Sequence, residues 1–317
     1  MNKANRRNSA NSWNTYWEGA AGAGAYSDGG VNHPAVSRFW NEFFATGAGG
    51  EQTTMLDVAT GNGAVIELAV SQHGVPATRI SCVDISPAAI ADVESRFPGI
   101  NALVADAAKL PFGGRQFSLV TSQFGVEYAG RDALFALHEQ VAANGQLALM
   151  LHAEGSSIHD ESAANLAAVT RMQEAQFIPL AADLFKKGFA AVRGADRAPY
   201  DAAGTALSGA VKAVEDILRE FGPRIAGDTV GRLYEDVARI HGALPRYDPD
   251  ETLQWLDGMD REVRSYAERM RTMIDAAIDQ ATFDDLLAHL KSQRFAIQRA
   301  EPLTATGQPK ALAWVLV

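Results

Sequence analysis

The stretch Met55 to Val65, MLDVATGNGAV, constrains this chain more than any other. Met55 to Val58 is a short apolar run that suits a buried strand, and Gly61 and Gly63 break it before a helix-like segment begins. Glycine opens backbone torsions closed to other residues and lets a ligand come close to the main chain. The unpaired N–H groups at a helix start attract negative charge. Strand, glycine turn and helix in that order predict a ligand with a polar tail or phosphates. A complete G-x-G-x-x-G fingerprint needs Gly or Ala where Ile66 stands, which weakens a nicotinamide dinucleotide reading. A P-loop needs Lys and then Ser or Thr after its second glycine, and neither is there.

What remains is Asp57 with Gly61 and Gly63 in the order D-V-A-T-G-N-G. This pattern resembles class I S-adenosylmethionine-dependent methyltransferases, in particular the small-molecule group that includes the ubiquinone and menaquinone biosynthesis methyltransferases. Ala59 stands where many members carry the first of three glycines. Two further acids extend the pattern. Arg79 to Ser86, RISCVDIS, reads as a second strand ending in Asp84, about 20 residues past the glycines, where a ribose-binding carboxylate is expected. One carboxylate can accept from both ribose hydroxyls. Ala102 to Phe112 reads as a third strand ending in Asp106.

The resemblance implies S-adenosylmethionine as cofactor and S-adenosylhomocysteine as its product. It implies that the backbone from Ala59 through Thr60, Gly61 and Asn62 to Gly63 holds the methionine portion. Asp84 and Ile85 then meet the ribose, and Asp106 with Ala107 the adenine. Asp57 orients the glycine loop or bonds to the methionine amino group. Family members often fold their N-terminal segment across the cofactor, which makes Tyr16 or Tyr26 a cover for its methionine end. The aromatic stripe of Trp13, Tyr16 and Trp17, at helical spacing, has core packing as its plainer alternative.

The fold class expected is α/β: a Rossmann-like doubly wound sheet, mostly parallel with an antiparallel last strand, carrying an N-terminal helical segment and a large helical insertion after strand five. Residues 1–50 form the N-terminal cap segment, with a glycine- and alanine-rich loop from Gly19 to Gly30 and an amphipathic helix from Pro34 to Gly47. Residues 51–154 and 281–317 form the cofactor-binding domain. Within it, FSLVTS is a fourth strand, RDALFALHEQ a helix, Asn144 and Gly145 a turn, and a fifth strand ends at His152. The closing helix, strand and last strand appear only at the far end of the chain, the two strands joined by a turn at Gly307 to Pro309. Residues 155–280 are therefore an insertion of several helices, broken near Gly194, Pro199, Gly222, Gly242 and Pro249 and expected to cap the substrate. Phe177 to Val192 concentrates apolar side chains that either line an acceptor pocket or fill the insertion's own core.

The formal net charge of -10 disfavours broad attraction to nucleic acid or anionic lipid. A single cysteine, Cys82, leaves no internal disulfide and fits a reducing compartment. No secretory signal or membrane-length apolar run is seen, so the expectation is a cytoplasmic enzyme acting on a small molecule, with a homodimer left open. No metal-ligand pattern accompanies His152, His159 and Asp160.

Methyl transfer from a sulfonium needs alignment and exclusion of water, and an acceptor that carries a proton needs a base. His152 is the first candidate and Glu127 the second. Their plainer alternatives are a hydrogen-bonding strand cap and a solvated loop acid. Gln123, Phe124 and Tyr128 share the loop after strand four, where open parallel sheets place their ligands, and shape the site, with Gln123 and Phe124 also expected to touch the cofactor. The rival functions are a methyltransferase-like partner protein without turnover and another enzyme on the same nucleotide fold, such as a dehydrogenase.

Overall fold

The computed structural model describes residues 13–17, 33–47 and 52–317. Tyr26 and the loop of residues 19–30 lie outside the described residues. Among these described residues, seven strands form one sheet: β1 (Met55–Val58), β2 (Ile80–Asp84), β3 (Asn101–Val104), β4 (Phe117–Gln123), β5 (Val141–Leu151), β6 (Ala300–Thr304) and β7 (Ala311–Leu316), in the order β3-β2-β1-β4-β5-β7-β6. β1 to β5 pair in parallel, and β7 runs antiparallel to both β5 and β6. The strand order reverses between β1 and β4. Such a reversal opens a crevice at the carboxyl ends of the strands.

Alternation of side chains along the strands divides the core into two layers. Met55, Ile80, Cys82, Leu119 and Met150 pack on one face, with helix α1 (Pro34–Gly47), α2 (Ala64–Ser71) and α3 (Pro87–Arg96). Leu56, Val58, Val83, Val120 and Leu149 pack on the other, with α4 (Arg131–Ala136). Helix α1 buries Phe39, Trp40, Phe43 and Phe44, and each buried phenylalanine contributes about 1.5–3 kcal/mol of apolar transfer. The Trp40 indole donates to Gln123 Oε1 at 2.5 Å, tying this helix to the carboxyl end of β4. Ser86 caps α3 by accepting from Ala89 N at 3.2 Å, and Pro87 supplies the first turn.

Two local readings change. β3 stops at Val104, so Asp106 stands two residues past the strand, where it caps the short 3-10 turn Ala107–Lys109. The expected turn at Asn144 and Gly145 is instead a bulge within β5: Phe117 pairs with Val141, yet Leu119 pairs with Gln146. Asn144 takes a positive φ of 63°, a conformation asparagine tolerates. A Cβ at Gly145 would lie 2.8 Å from Ser118 O, so only glycine lets the strands close beside the bulge.

The chain divides into two compact units, Met1–Asp160 with Thr272–Val317, and Glu161–Arg271. The second unit is helical. α5 (Ser157–Glu174) leads into it, α6 (Phe177–Val192), α7 (Ala198–Phe221) and α8 (Thr229–His241) follow, and α9 (Pro249–Ala276) leads out, before α10 (Gln280–Ser292). Its own core contains Phe177, Phe185, Val214, Ile217, Leu233 and Val263. The α6 residues Phe177, Ile178, Leu184, Phe185 and Phe189 are buried there, which is the plainer of the two roles open to them.

Candidate active site

The site is built from the carboxyl ends of β1, β2, β4 and β5. β1 carries Asp57 into the interior because its neighbours supply partners: Thr121 Oγ1 donates to one carboxylate oxygen at 2.7 Å and Thr60 Oγ1 to the other at 2.6 Å. Asp57 is 2% exposed. Burial raises its pKa to about 6, against the lowering effect of those two hydroxyls. Its observed work is to hold the loop that follows. Thr60 N also donates to Val83 O at 3.0 Å, stitching that loop to β2.

The loop takes left-handed backbone at alternate residues, with φ of 56° at Ala59, 52° at Gly61 and 74° at Gly63. Glycine adopts this region without strain, whereas a residue with a Cβ pays about 1–2 kcal/mol. Ala59 pays it while packing against Gly125, where an added Cβ would come within 2.4 Å of the Ala59 Cβ. At Gly63 an added Cβ would meet Val93 at 3.0 Å and Phe97 at 3.3 Å, so this glycine lets the loop pack on α3. Asn62 presents its carbonyl to Arg96 Nη1 at 2.5 Å.

Asp84 ends β2 and closes on the same loop. One carboxylate oxygen accepts from Gly61 N and the other from Ser86 N, both at 2.8 Å. Burial raises its pKa, and the backbone donors at Ser86 and Gly61 oppose the rise. Ile85 N–H is a third backbone donor to this carboxylate, which leaves it one acceptor position for a hydroxyl of a diol. Asp84 pairs with Val104 in register, and Ala105 N donates to Asp84 O at 2.9 Å, which brings Asp106 to the adjoining strand end. Asp106 accepts from Ala108 N at 2.9 Å, and Ala107 is half-buried in the turn it caps. Ile85, 39% exposed, leaves an apolar surface beside Asp84.

On the other side, the loop after β4 meets the end of β5. Phe124, at φ 51°, stacks on the His152 ring with centroids 4.6 Å apart. Tyr128 Oη lies 2.9 Å from His152 Nε2. Glu127 is buried, unlike a solvated loop acid, and its Oε1 accepts from His152 N at 2.9 Å. Its Oε2 is buried with no hydrogen-bond partner among the described residues. Burial raises the Glu127 pKa to about 7, and the same cause lowers that of His152 to about 3. His152 is therefore neutral across the physiological range, while Glu127 can take up and release a proton near neutrality. Burial also pushes the Cys82 thiol up, which leaves it protonated and inert.

The N-terminal turn at residues 13–17 joins this constellation. Trp17 lies against Gly61, Trp13 packs edge-on against Tyr128 at 5.6 Å, and Tyr16 packs against Trp17 at 4.8 Å. Asn14 Oδ1 accepts from Ser86 Oγ at 3.0 Å and Ala88 N at 3.1 Å. The spacing singled out the aromatic residues but carried no sign of Asn14, whose partners lie over seventy residues away. Gln123 is set apart by its bond to Trp40.

Residues 55–145 match a family model described as a methyltransferase domain. The matched stretch carries Asp57, Gly61, Gly63, Asp84 and Asp106, and over it the chain is similar to methyltransferases. Demethylmenaquinone methyltransferase of Chlorobaculum tepidum is 33% identical over 96 residues, which are 29% of this chain and 38% of that protein. The Chlorobaculum parvum protein of the same name is 31% identical over 96 residues, 29% of this chain and 39% of its own. The chain thus spans well under half the length of the curated relatives it matches. Among solved structures, geranyl diphosphate C-methyltransferase from Streptomyces coelicolor A3(2), in complex with Mg2+, geranyl diphosphate and S-adenosyl-L-homocysteine, aligns with a TM-score of 0.37 at 16% identity. That alignment covers 48% of this chain and 66% of the other. No helix among the described residues is long and apolar enough to cross a membrane. Nor do those residues hold a group of three or more side chains suited to a metal ion.

Proposed function

We propose that this chain is an S-adenosylmethionine-dependent methyltransferase whose acceptor is a small, apolar or aromatic metabolite, working in the cytoplasm. The bond from Gly61 N to Asp84 carries the reading, because it locks a left-handed glycine loop against a strand-end carboxylate at the sheet's crevice. The residues suit the cofactor. The loop from Ala59 to Gly63 would hold its methionine portion, Asp84 with Ile85 its ribose, and Asp106 with Ala107 its adenine. The bound cofactor supplies an activated methyl group.

The chain must then orient the acceptor, exclude water and receive a proton. Of the two candidate bases, geometry and charge support Glu127. His152 is enclosed, neutral and occupied by Tyr128, so it positions that phenol. Glu127 holds the end of β5 with one oxygen and keeps the other for a proton. The distant kinship with demethylmenaquinone methyltransferases supports a small-molecule acceptor.

Thermal shift with adenosylmethionine, adenosylhomocysteine and nicotinamide dinucleotides tests the cofactor, since a ligand that binds only the folded state raises its melting temperature. The first two should raise it and the dinucleotides should not; the reverse would make the chain a dehydrogenase-like protein. Asp84→Ala should weaken adenosylmethionine binding by about 1.5–3 kcal/mol, the scale of hydrogen bonds to a charged group. Calorimetric titration reads this, with circular dichroism confirming an intact fold, and unchanged affinity would remove Asp84 from the site.

A further inference from the structure

Resting on the adenosylmethionine reading, we propose that the turn at residues 13–17 reads the cofactor's charge. The Trp17 indole, backed by Trp13 and Tyr16, favours the positive sulfonium of adenosylmethionine over the neutral thioether of adenosylhomocysteine.

The first ground is position. An added Cβ at Gly61 would lie 2.7 Å from Trp17 Cζ2, so the indole stands immediately beside the loop proposed to hold the methionine portion. Any ligand resting on that loop rests near this ring. The turn is pinned at three places: Trp17 at Gly61, Asn14 at Ser86 and Ala88, and Trp13 at Tyr128. These contacts reach the β1 loop, the start of α3 and the β4 loop, which surround the crevice.

The second ground is that the rings do no core work. Trp13, Tyr16 and Trp17 are half-buried and belong to none of the three buried apolar clusters. They pack on one another instead: Trp13 stacks on Trp17 with centroids 6.4 Å apart at 24°, and Tyr16 meets Trp17 edge-on. The indole that meets the loop carries a π-system, whose quadrupole attracts a cation placed over the ring.

The third ground is charge. The groups nearest the loop are the carboxyls of Asp57 and Asp84, and His152 beyond Tyr128 is neutral. Arg96 also reaches the loop, but it donates to Asn62 O and is paired with Glu67 and Asp92. The surroundings therefore favour a positive centre. The two ligands share every other group, so a ring that reads charge changes their affinity ratio, whereas a ring that only covers the site changes both affinities together.

Calorimetric titration of both ligands on the full chain separates these. Trp17→Leu should lower affinity for adenosylmethionine by roughly two- to thirtyfold, the range of a cation over an indole, and leave adenosylhomocysteine within about twofold. Trp17→Phe, a weaker but still aromatic face, should fall between. Asn14→Ala, which removes the anchor and keeps the rings, should move the ratio in the same direction. An equal change for both ligands in Trp17→Leu, whether loss or gain, overturns the proposal. Binding of neither ligand by the wild-type chain would take down the cofactor reading itself, and this proposal with it.

Discussion

At the level of single residues, the site sets ionisable groups in places that change their chemistry. Glu127 illustrates this, because its carboxyl moves from the ordinary 4.5 to about 7 on burial. Below about pH 4.5 it is protonated in both folded and unfolded chains and costs nothing. As pH rises toward 7 the unfolded chain ionises freely while the folded chain resists, so stability is lost, by about 3 kcal/mol once the pH exceeds 7. Glu127→Gln keeps an oxygen for the His152 N–H and cannot ionise. Urea denaturation between pH 5 and 8 should show the variant gaining on the wild-type chain by about that amount, and parallel curves would refute a buried titrating acid. Ala59 shows a different constraint. The motif revealed an alanine in a glycine position, but only the backbone shows that it sits at φ 56° and that Gly125 must lack a side chain to let it fit.

The elements around the site were legible where local chemistry decides them. Ser86 and Pro87 announce the start of α3, and the cap bond to Ala89 N is present. Ser86 does more, since its hydroxyl also donates to Asn14. Ser86→Ala should cost about 1 kcal/mol from the lost cap. The variant should also loosen the 13–17 turn, read as faster hydrogen exchange at residues 13–17 relative to α3. Helix boundaries in the second unit followed the breakers: α6 ends two residues before Gly194, and α7 ends just before Gly222, which takes φ 86°. The bulge in β5 was not legible. Asn-Gly carries the same local preference in a hairpin turn and in a bulge, and the registers of β4 and β5 decide between them.

For the molecule as a whole, two apolar cores lie on the faces of the sheet and a third lies within the helical unit. A unit with its own core can unfold cooperatively by itself. Scanning calorimetry should therefore resolve two transitions, and saturating adenosylmethionine should raise only the one belonging to the sheet unit. A single transition raised as a whole would show the two units to be thermodynamically one. The parallel sheet, its antiparallel closing hairpin and the long helical interruption were all written in the chain. Periodicity, glycine breaks and acids at strand ends are short-range signals that survive without a fold. The partners of the side chains were not written there. Burial of Glu127, neutrality of His152, the capture of Gln123 by Trp40 and the anchoring of Asn14 on Ser86 each depend on residues brought together from far apart in the chain. Desolvation and long-range hydrogen bonds exist only once packing has removed water.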